Sequence, residues 1–403
     1  MTAGPAAPVT APVVRPAGLL VAVSGNMLID ALEVSALIVA VPAIGADLRV
    51  SPAWSQWLIS GFALGFGTVL WLGPRIVDRF GRRGPYLVAV AVFAIVSLLS
   101  GVVSGLPALV ALRFVKGCCA ALTATTGVAL ISSTFAQGRA RDRALSVYTL
   151  FGASGFSAGL VLSGVLTAAH WRWTLVSAAP VAAVLYVVAA RSIPADPPRV
   201  VPRARLRELV AHPNLVRVAV VAGTLNGSYW ALLFVLSLYL QRVRGWSPAL
   251  AGPALLPASL PLAVSALSAG RLVRRVGAAR LVAAGTALPP AGYLLVCWRG
   301  PDAAYPTVIL PALLLVGAGF VLSFTALHVR ATEEVPDAFR REATALYQSA
   351  VQLLGALSVI TVAALVALPA AHRAALSVVV VIGTAGFVTA LVRRGARPDG
   401  SAN

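Results

Sequence analysis

The sequence predicts an all-α integral membrane protein, with twelve transmembrane helices arranged as two bundles of six. Three observations lead there. The 403-residue chain is 59% hydrophobic and only 11% charged, where a soluble domain carries about 25% charged residues. Its mean hydropathy is +0.88, and its apolar runs repeatedly exceed the length of about 18 residues that reads as a membrane span. Two stretches in the second half echo stretches about two hundred residues earlier, as expected for a duplicated bundle of the kind secondary transporters use.

In chain order the spans fall at 17–42, 54–73, 85–102, 106–134, 144–168 and 174–190, then at 214–241, 250–270, 279–297, 304–329, 342–368 and 374–392. Each is long enough to cross about 30 Å at 1.5 Å per residue. The division is therefore an N-terminal bundle (1–190), a linker (191–213) and a C-terminal bundle (214–403). The linker holds Pro194, Pro197, Pro198 and Pro202 with Arg199, Arg203, Arg205 and Arg207. It reads as a cytoplasmic connection with a short amphipathic helix at 203–211 on the membrane surface. The first 16 residues, rich in Pro and Ala, do not make a cleavable signal, because the run that follows is too long for its apolar core.

Orientation follows from arginine. With the N-terminus inside, 24 basic residues fall in inner segments and six (Arg49, Arg172, Arg242, Arg244, Arg299, Arg373) in outer loops. That asymmetry places both termini in the cytoplasm. Trp54, Trp57, Trp171, Trp173, Trp246, Trp298 and Tyr305 then all lie at the outer interface, where aromatic belts form. The net charge of +19 is thus a topology signal and argues against a nucleic-acid partner. Cys118, Cys119 and Cys297 have no metal-ligand spacing and read as small packing residues.

Between the second and third spans stands the densest charge in the chain, Gly73-Pro74-Arg-Ile-Val-Asp78-Arg79-Phe-Gly81-Arg82-Arg83. It is expected to form a tight, solvent-facing turn on the cytoplasmic side. Asp78 there is either solvated or a latch, approaching the start of the eleventh span near Arg340 and Arg341, where a helix dipole favours negative charge by roughly 0.3–1 kcal/mol. The later echo, Gly270-Arg271-Leu-Val-Arg274-Arg275-Val-Gly277, has arginine in place of the acid. A second echo links Arg143-Ala-Leu-Ser-Val-Tyr148 with Glu342-Ala-Thr-Ala-Leu-Tyr347.

Four charges lie deep in the spans: Asp30 and Glu33 on the first, Arg113 and Lys116 on the fourth, each pair three residues apart and so on one helix face. Asn26 continues the first stripe. Glu33 and Arg113 fall roughly 10–14 Å below the outer interface by helical rise, with Asp30 and Lys116 a turn deeper. Unpaired, each would cost about 2.5–3.5 kcal/mol or more at mid-bilayer. Facing one another across a wet cavity they form either a static brace or a proton-coupled site, in which a nearby arginine and partial desolvation tune a carboxylate. Asn226, Tyr229 and Trp230 on the seventh span, with Gln348 and Gln352 on one face of the eleventh, are either substrate contacts or interhelical glue. On the fifth span Gly155-x-x-x-Gly159-x-x-x-Ser163 makes a small-residue stripe for close packing.

Several of these stretches resemble the major facilitator superfamily. Asp78, Arg79, Gly81, Arg82 and Arg83 fit its loop pattern G-x-x-x-D-R-x-G-R-R, with Pro74 in the leading glycine's place and Gly73 one residue early. Leu32-Glu33-Val-Ser35-Ala-Leu-Ile38-Val-Ala-Val-Pro42 is similar to the first-helix motif of its drug-resistance exporters, in which an acid stands nine residues before the proline; Asp30 is extra to that pattern. Arg113-Phe-Val-Lys-Gly117 is similar to the fourth-helix R-x-x-x-G, whose arginine the family links to proton transfer. The antiporter signature on the fifth helix is broken, with Phe156 for its proline and Leu160 for a glycine. The resemblance implies a secondary exporter of the bacterial cytoplasmic membrane, working by alternating access. It would move hydrophobic small molecules, cations among them, against protons. The proton gradient would be its energy source, with no cofactor, and a monomer suffices for the fold. No Walker-type pattern is present. Symport or import of a metabolite on the same scaffold is the alternative, and a non-transporting sensor or enzyme is the rival from another class.

Overall fold

The computed structural model describes residues 16–195, 206–265, 269–300, 303–368 and 372–392, and every regular element among them is helical. Among the described residues, eleven helices are long and apolar enough to cross a membrane: α1 (Pro16–Asp47), α2 (Pro52–Phe80), α3 (Arg83–Val102), α4 (Leu106–Thr134), α5 (Arg139–Ala169), α6 (Trp171–Ser192), α7 (Pro213–Val243), α9 (Ala278–Arg299), α10 (Tyr305–Thr332), α11 (Asp337–Val366) and α12 (His372–Leu391). Between α7 and α9 lies α8, Pro248–Ser265. At 18 residues it spans about 27 Å, despite Pro253, Pro257 and Pro261 inside it. The expected span 250–270 is thus helical over its described residues up to Ser265. Residues 266–268 lie outside the described ones, and Ala269–Val276 beyond them is helical.

Helices run past the apolar stretches into polar turns. The clearest case corrects the expectation of a loop at Gly73–Arg83: α2 continues through Asp78 and Arg79 to Phe80, and the turn is confined to Gly81 and Arg82. Gly81 has φ +74°, a left-handed conformation that ends the helix where a side chain would resist it. Arg82 and Arg83 reach back across that turn. Arg82 bonds Ala129 O at 3.2 Å and Arg83 bonds Ala190 O at 2.8 Å, so each cation meets the C-terminal carbonyls of α4 or α6, the negative end of the helix dipole. Among the described residues of the linker, helix covers Leu206–Val210, with Leu209 buried and Leu206 and Val210 exposed. Pro197, Pro198, Pro202, Arg199, Arg203 and Arg205 lie outside the described residues, as do Arg15 and the C-terminal arginines.

The helices pack chiefly within each half, α1 on α5 and α2 on α4 in the first, α7 on α11 and α9 on α10 in the second. The halves meet where α2 packs on α11 and α5 on α8. They are also joined by polar ties at opposite faces. At the face where α1 begins, Arg341 of α11 grips Asp78 of α2 with two bonds of 2.7 and 2.8 Å. At the opposite face α7 reaches onto α1. Pro42 has no N–H, so the carbonyl four residues back, Ile38 O, loses its helical donor. Ser237 supplies one across the interface at 2.6 Å, and Gln241 bonds Val39 O at 3.0 Å. Ser237 lies just before, and Gln241 within, the π turn Tyr239–Val243 into which α7 widens.

Candidate transport site

The charged group sits inside the first bundle. Glu33 is fully buried at 0% exposure. Its Oε2 takes Arg113 Nη1, and its Oε1 takes Lys116 Nζ at 2.5 Å. Arg113 also donates from Nε to Leu58 O of α2 at 2.9 Å and from Nη2 to Glu33 O at 3.2 Å. Its guanidinium lies over Phe62, 4.7 Å from the ring centre, and the Lys116 ammonium lies 4.9 Å from that of Phe93 on α3. Aromatic faces of this kind stabilise a desolvated cation by roughly 2 kcal/mol. Lys116 also approaches Leu175 O of α6 at 3.4 Å. One carboxylate and two cations therefore tie five helices together.

Two expectations are corrected here. The charges do not face one another across a wet cavity; Glu33, Arg113 and Lys116 touch directly in a sealed interior. Nor does Lys116 pair with Asp30 at its own depth. Its four-carbon stem is long and flexible enough to reach back a turn, so both bases converge on Glu33. Asp30 is left with Thr123, whose hydroxyl lies 3.1 Å from its Oδ2. Asp30 Oδ1 and Asn26 Oδ1, one turn apart, are buried with no hydrogen-bond partner among the described residues.

In the second half, Asn226, Tyr229 and Trp230 are buried on α7. Asn226 and Trp230 lie over Gly355 of α11, where a Cβ would come within 2.9 Å of the amide nitrogen and 3.4 Å of the indole. Asn226 Nδ2 and Gln352 Oε1 have no hydrogen-bond partner among the described residues. Gln348 instead meets His328 at 3.4 Å, so it is drawn to α10. A column of rings runs beside them: Phe156 of α5 to Tyr229 (5.9 Å), Tyr229 to Phe320 (4.9 Å) and Phe320 stacked on Phe324 (4.8 Å). Phe156 brings the column across from the first half. Phe320, Phe324 and His328 stand four residues apart, a one-face helical period visible in the sequence, although each residue singly looks like core.

The small-residue stripe packs α5 on α1. Gly155 and Gly159 face Leu28 and Leu32, and Ser163 donates to Ala36 O at 2.6 Å. Of the charged motif, Gly73 sits against Thr125 of α4, Asp78 is 5% exposed under Arg341, and Arg79 lies over the Phe80 ring. Arg341 also bonds Glu342 at 3.1 Å, while Arg340 pairs with Asp337 at 2.9 Å. The three cysteines are free.

The sequence from 23 to 359 matches the profile of the Major Facilitator Superfamily. The chain belongs to that superfamily. Among its relatives, the puromycin resistance protein of Streptomyces alboniger is 30% identical, over 85% of this chain and 80% of that one. The cephamycin export protein CmcT of Amycolatopsis lactamdurans is 30% identical over 75% of each. The fold is that of solved superfamily transporters. The nucleoside transporter NupG superposes with a TM-score of 0.73 at 13% identity, covering 92% of this chain and 98% of that one. A bacterial homologue of the human lysosomal transporter Spinster, inward-facing and unoccupied, gives 0.73 at 16%, covering 93% and 97%.

The Asp78–Arg341 pair joins the two halves at one face, which sets an expected result for this tie. Reversing its charge with Arg341→Asp should favour the form open at that face by about tenfold, the equivalent of 1.4 kcal/mol; the arginine's exposure keeps the effect modest. Accessibility of a cysteine placed beside Asp78 to a water-soluble thiol reagent reads this. Adding Asp78→Arg should restore the native labelling rate. A double variant that labels like the single one would mean the ion pair does not hold this face shut.

Proposed function

We propose that this superfamily transporter is a secondary exporter of hydrophobic small molecules of the antibiotic or drug type, cations among them, working by proton antiport in the cytoplasmic membrane of a bacterium. Both termini lie in the cytoplasm on the arginine asymmetry, so the Asp78–Arg341 tie closes the inner face and the Ser237–Ile38 tie the outer one. A monomer contains the whole path.

One observation carries the mechanism: the halves are joined at both faces by polar contacts that can be exchanged for water, around a seam of rings. Alternating access needs such breakable ties at each end. The rings of Phe156, Tyr229, Phe320 and Phe324 offer apolar area and π faces, which suit amphiphiles and organic cations. The free amide atoms of Asn226 and Gln352 supply a few polar anchors. Resistance and export relatives support the direction of transport. Proton coupling is assigned to the acids of α1, Asp30 and Glu33, in the field of Arg113 and Lys116.

The test is ethidium or puromycin movement in proteoliposomes under an imposed pH gradient. Native protein should accumulate the compound with counter-flow of protons, and the Asp30→Asn, Glu33→Gln double variant should not. Equal transport by both would remove the acids from the mechanism. Accumulation that follows the direction of proton flow would mean symport.

A further inference from the structure

We infer that Asp30, the acid extra to the exporter motif, is the group that binds and releases the proton, with Thr123 as its hydrogen-bond relay, while Glu33 is a fixed anchor. The inference rests on the proton-antiport reading and divides its two acids by their surroundings.

Glu33 has each carboxylate oxygen on a different cation, and both cations are held by further bonds to Leu58 O, Glu33 O and Leu175 O. Protonating it would leave two buried cations facing a neutral acid, and truncating one partner of such a set is costly. Asp30 differs. It is 6% exposed, carries no cation of its own and has one oxygen with no partner. The ionisable groups near it are Glu33 on its own helix, Lys116 and Cys119 on α4, Tyr86 on α3 and Tyr148 on α5. Of these Lys116 is committed to Glu33, and the Tyr86 hydroxyl donates to Ala22 O at 3.0 Å.

Thr123 makes the site fit both protonation states. Its hydroxyl lies 3.1 Å from Asp30 Oδ2 and 2.9 Å from Ala120 O, and it has one proton to give. With Asp30 ionised, that proton goes to the carboxylate. With Asp30 protonated, the acid donates to Thr123 Oγ1 and the threonine turns to donate to Ala120 O, so the chain stays satisfied. Release breaks the Asp30 O–H bond, leaves the electron pair on the carboxylate and passes the proton to water when the site is wetted from one face. Glu33 with Arg113 and Lys116 carries one net positive charge, which ionised Asp30 cancels. A proton on Asp30 uncovers that charge and opposes a cationic substrate. Entry of one then favours departure of the other.

The experiment compares ethidium movement in two modes, accumulation driven by a pH gradient and exchange down its own gradient, each per folded molecule. Asp30→Asn should lose driven accumulation by at least tenfold, and the slower exchange that remains should no longer depend on pH. Glu33→Gln should give less folded protein and slower transport, but transport by what folds should still respond to the pH gradient. Thr123→Val should move the pH of half-maximal driven transport, and Thr123→Ser should return it. The opposite split, with coupling lost in Glu33→Gln and kept in Asp30→Asn, overturns the inference and leaves antiport standing. Native protein that accumulates nothing under a pH gradient overturns both. If Asp30→Asn does not fold, the Thr123 pair decides: an unmoved pH profile sinks the assignment.

Discussion

Replacing Arg113 with alanine is expected to remove about 3–5 kcal/mol of stability, the range found when one partner of a buried pair is deleted. The guanidinium bonds Glu33 Oε2, Glu33 O and Leu58 O and lies over Phe62. Lys116 stays on Glu33 Oε1, but Glu33 Oε2 and Leu58 O lose their donor. Against a typical total of about 5–15 kcal/mol, this should cut the folded yield severalfold and lower the melting temperature in detergent. Arg113→Lys should recover only part, since an ammonium is a point donor and cannot serve α1 and α2 together in the planar fork that arginine offers. The pair itself is measured by adding Glu33→Gln. If the charges are the anchor, the double variant should be less destabilised than the sum of the two singles by about 2 kcal/mol or more, because Glu33 and Arg113 leave together and only Lys116 loses a partner. Strict additivity would mean that Arg113 acts through packing alone.

The contact of Glu33 with Arg113 was legible from depth on two antiparallel helices, because rise per residue places residues along a helix axis with little error. The meeting of Asp78 with Arg341 was legible for a related reason: a lone acid at a helix end faces a short list of cations at its level. Helical rise places Cα atoms and says nothing of how far a side chain reaches. Lys116 was therefore assigned its own depth, and the reach of its stem took it to Glu33. The loop at Gly73–Arg83 was misplaced because charge was read as solvent exposure, whereas α2 carries Asp78 to a buried contact at the far end of the helix. Thr123 and the rings of Phe156, Phe320 and Phe324 were hidden for another reason. In a chain this apolar, a threonine or phenylalanine in a span is ordinary, and only its neighbours on other helices mark it out. The carbonyl freed by Pro42 was readable in principle, since proline always leaves one. Its partner Ser237, about two hundred residues away, was not.

Gly159→Val is expected to be as damaging as Arg113→Ala, and by a different route. A Cβ on Gly159 would lie 2.7 Å from Leu32 O and 2.9 Å from Leu32 Cα, and closer still to Ser35 Oγ. On Gly155 it would meet Leu28 O and come within 2.9 Å of Leu28 Cα. These are backbone atoms and cannot step aside, so α1 and α5 must separate along the stripe, breaking the Ser163 bond to Ala36 O at its end. Without a hydrophobic force between helices in lipid, such close approach is the main source of their association. Overpacking costs about 1–3 kcal/mol for a small addition, and alanine at either position should fall in that range, with valine beyond it. Gly152 is the control on the same helix. Its Cβ would meet Met27 Cε at 2.7 Å, the tip of a flexible side chain, and alanine regains about 0.5–1 kcal/mol of helix propensity there. Gly152→Ala should therefore be close to neutral in melting temperature and folded yield. Adding Ser35→Ala to Gly159→Ala should restore only a part, because removing the hydroxyl leaves Leu32 O and Cα in place. Full recovery would mean that the clash is with one rotatable side chain, and that α1 and α5 are free to move apart without cost.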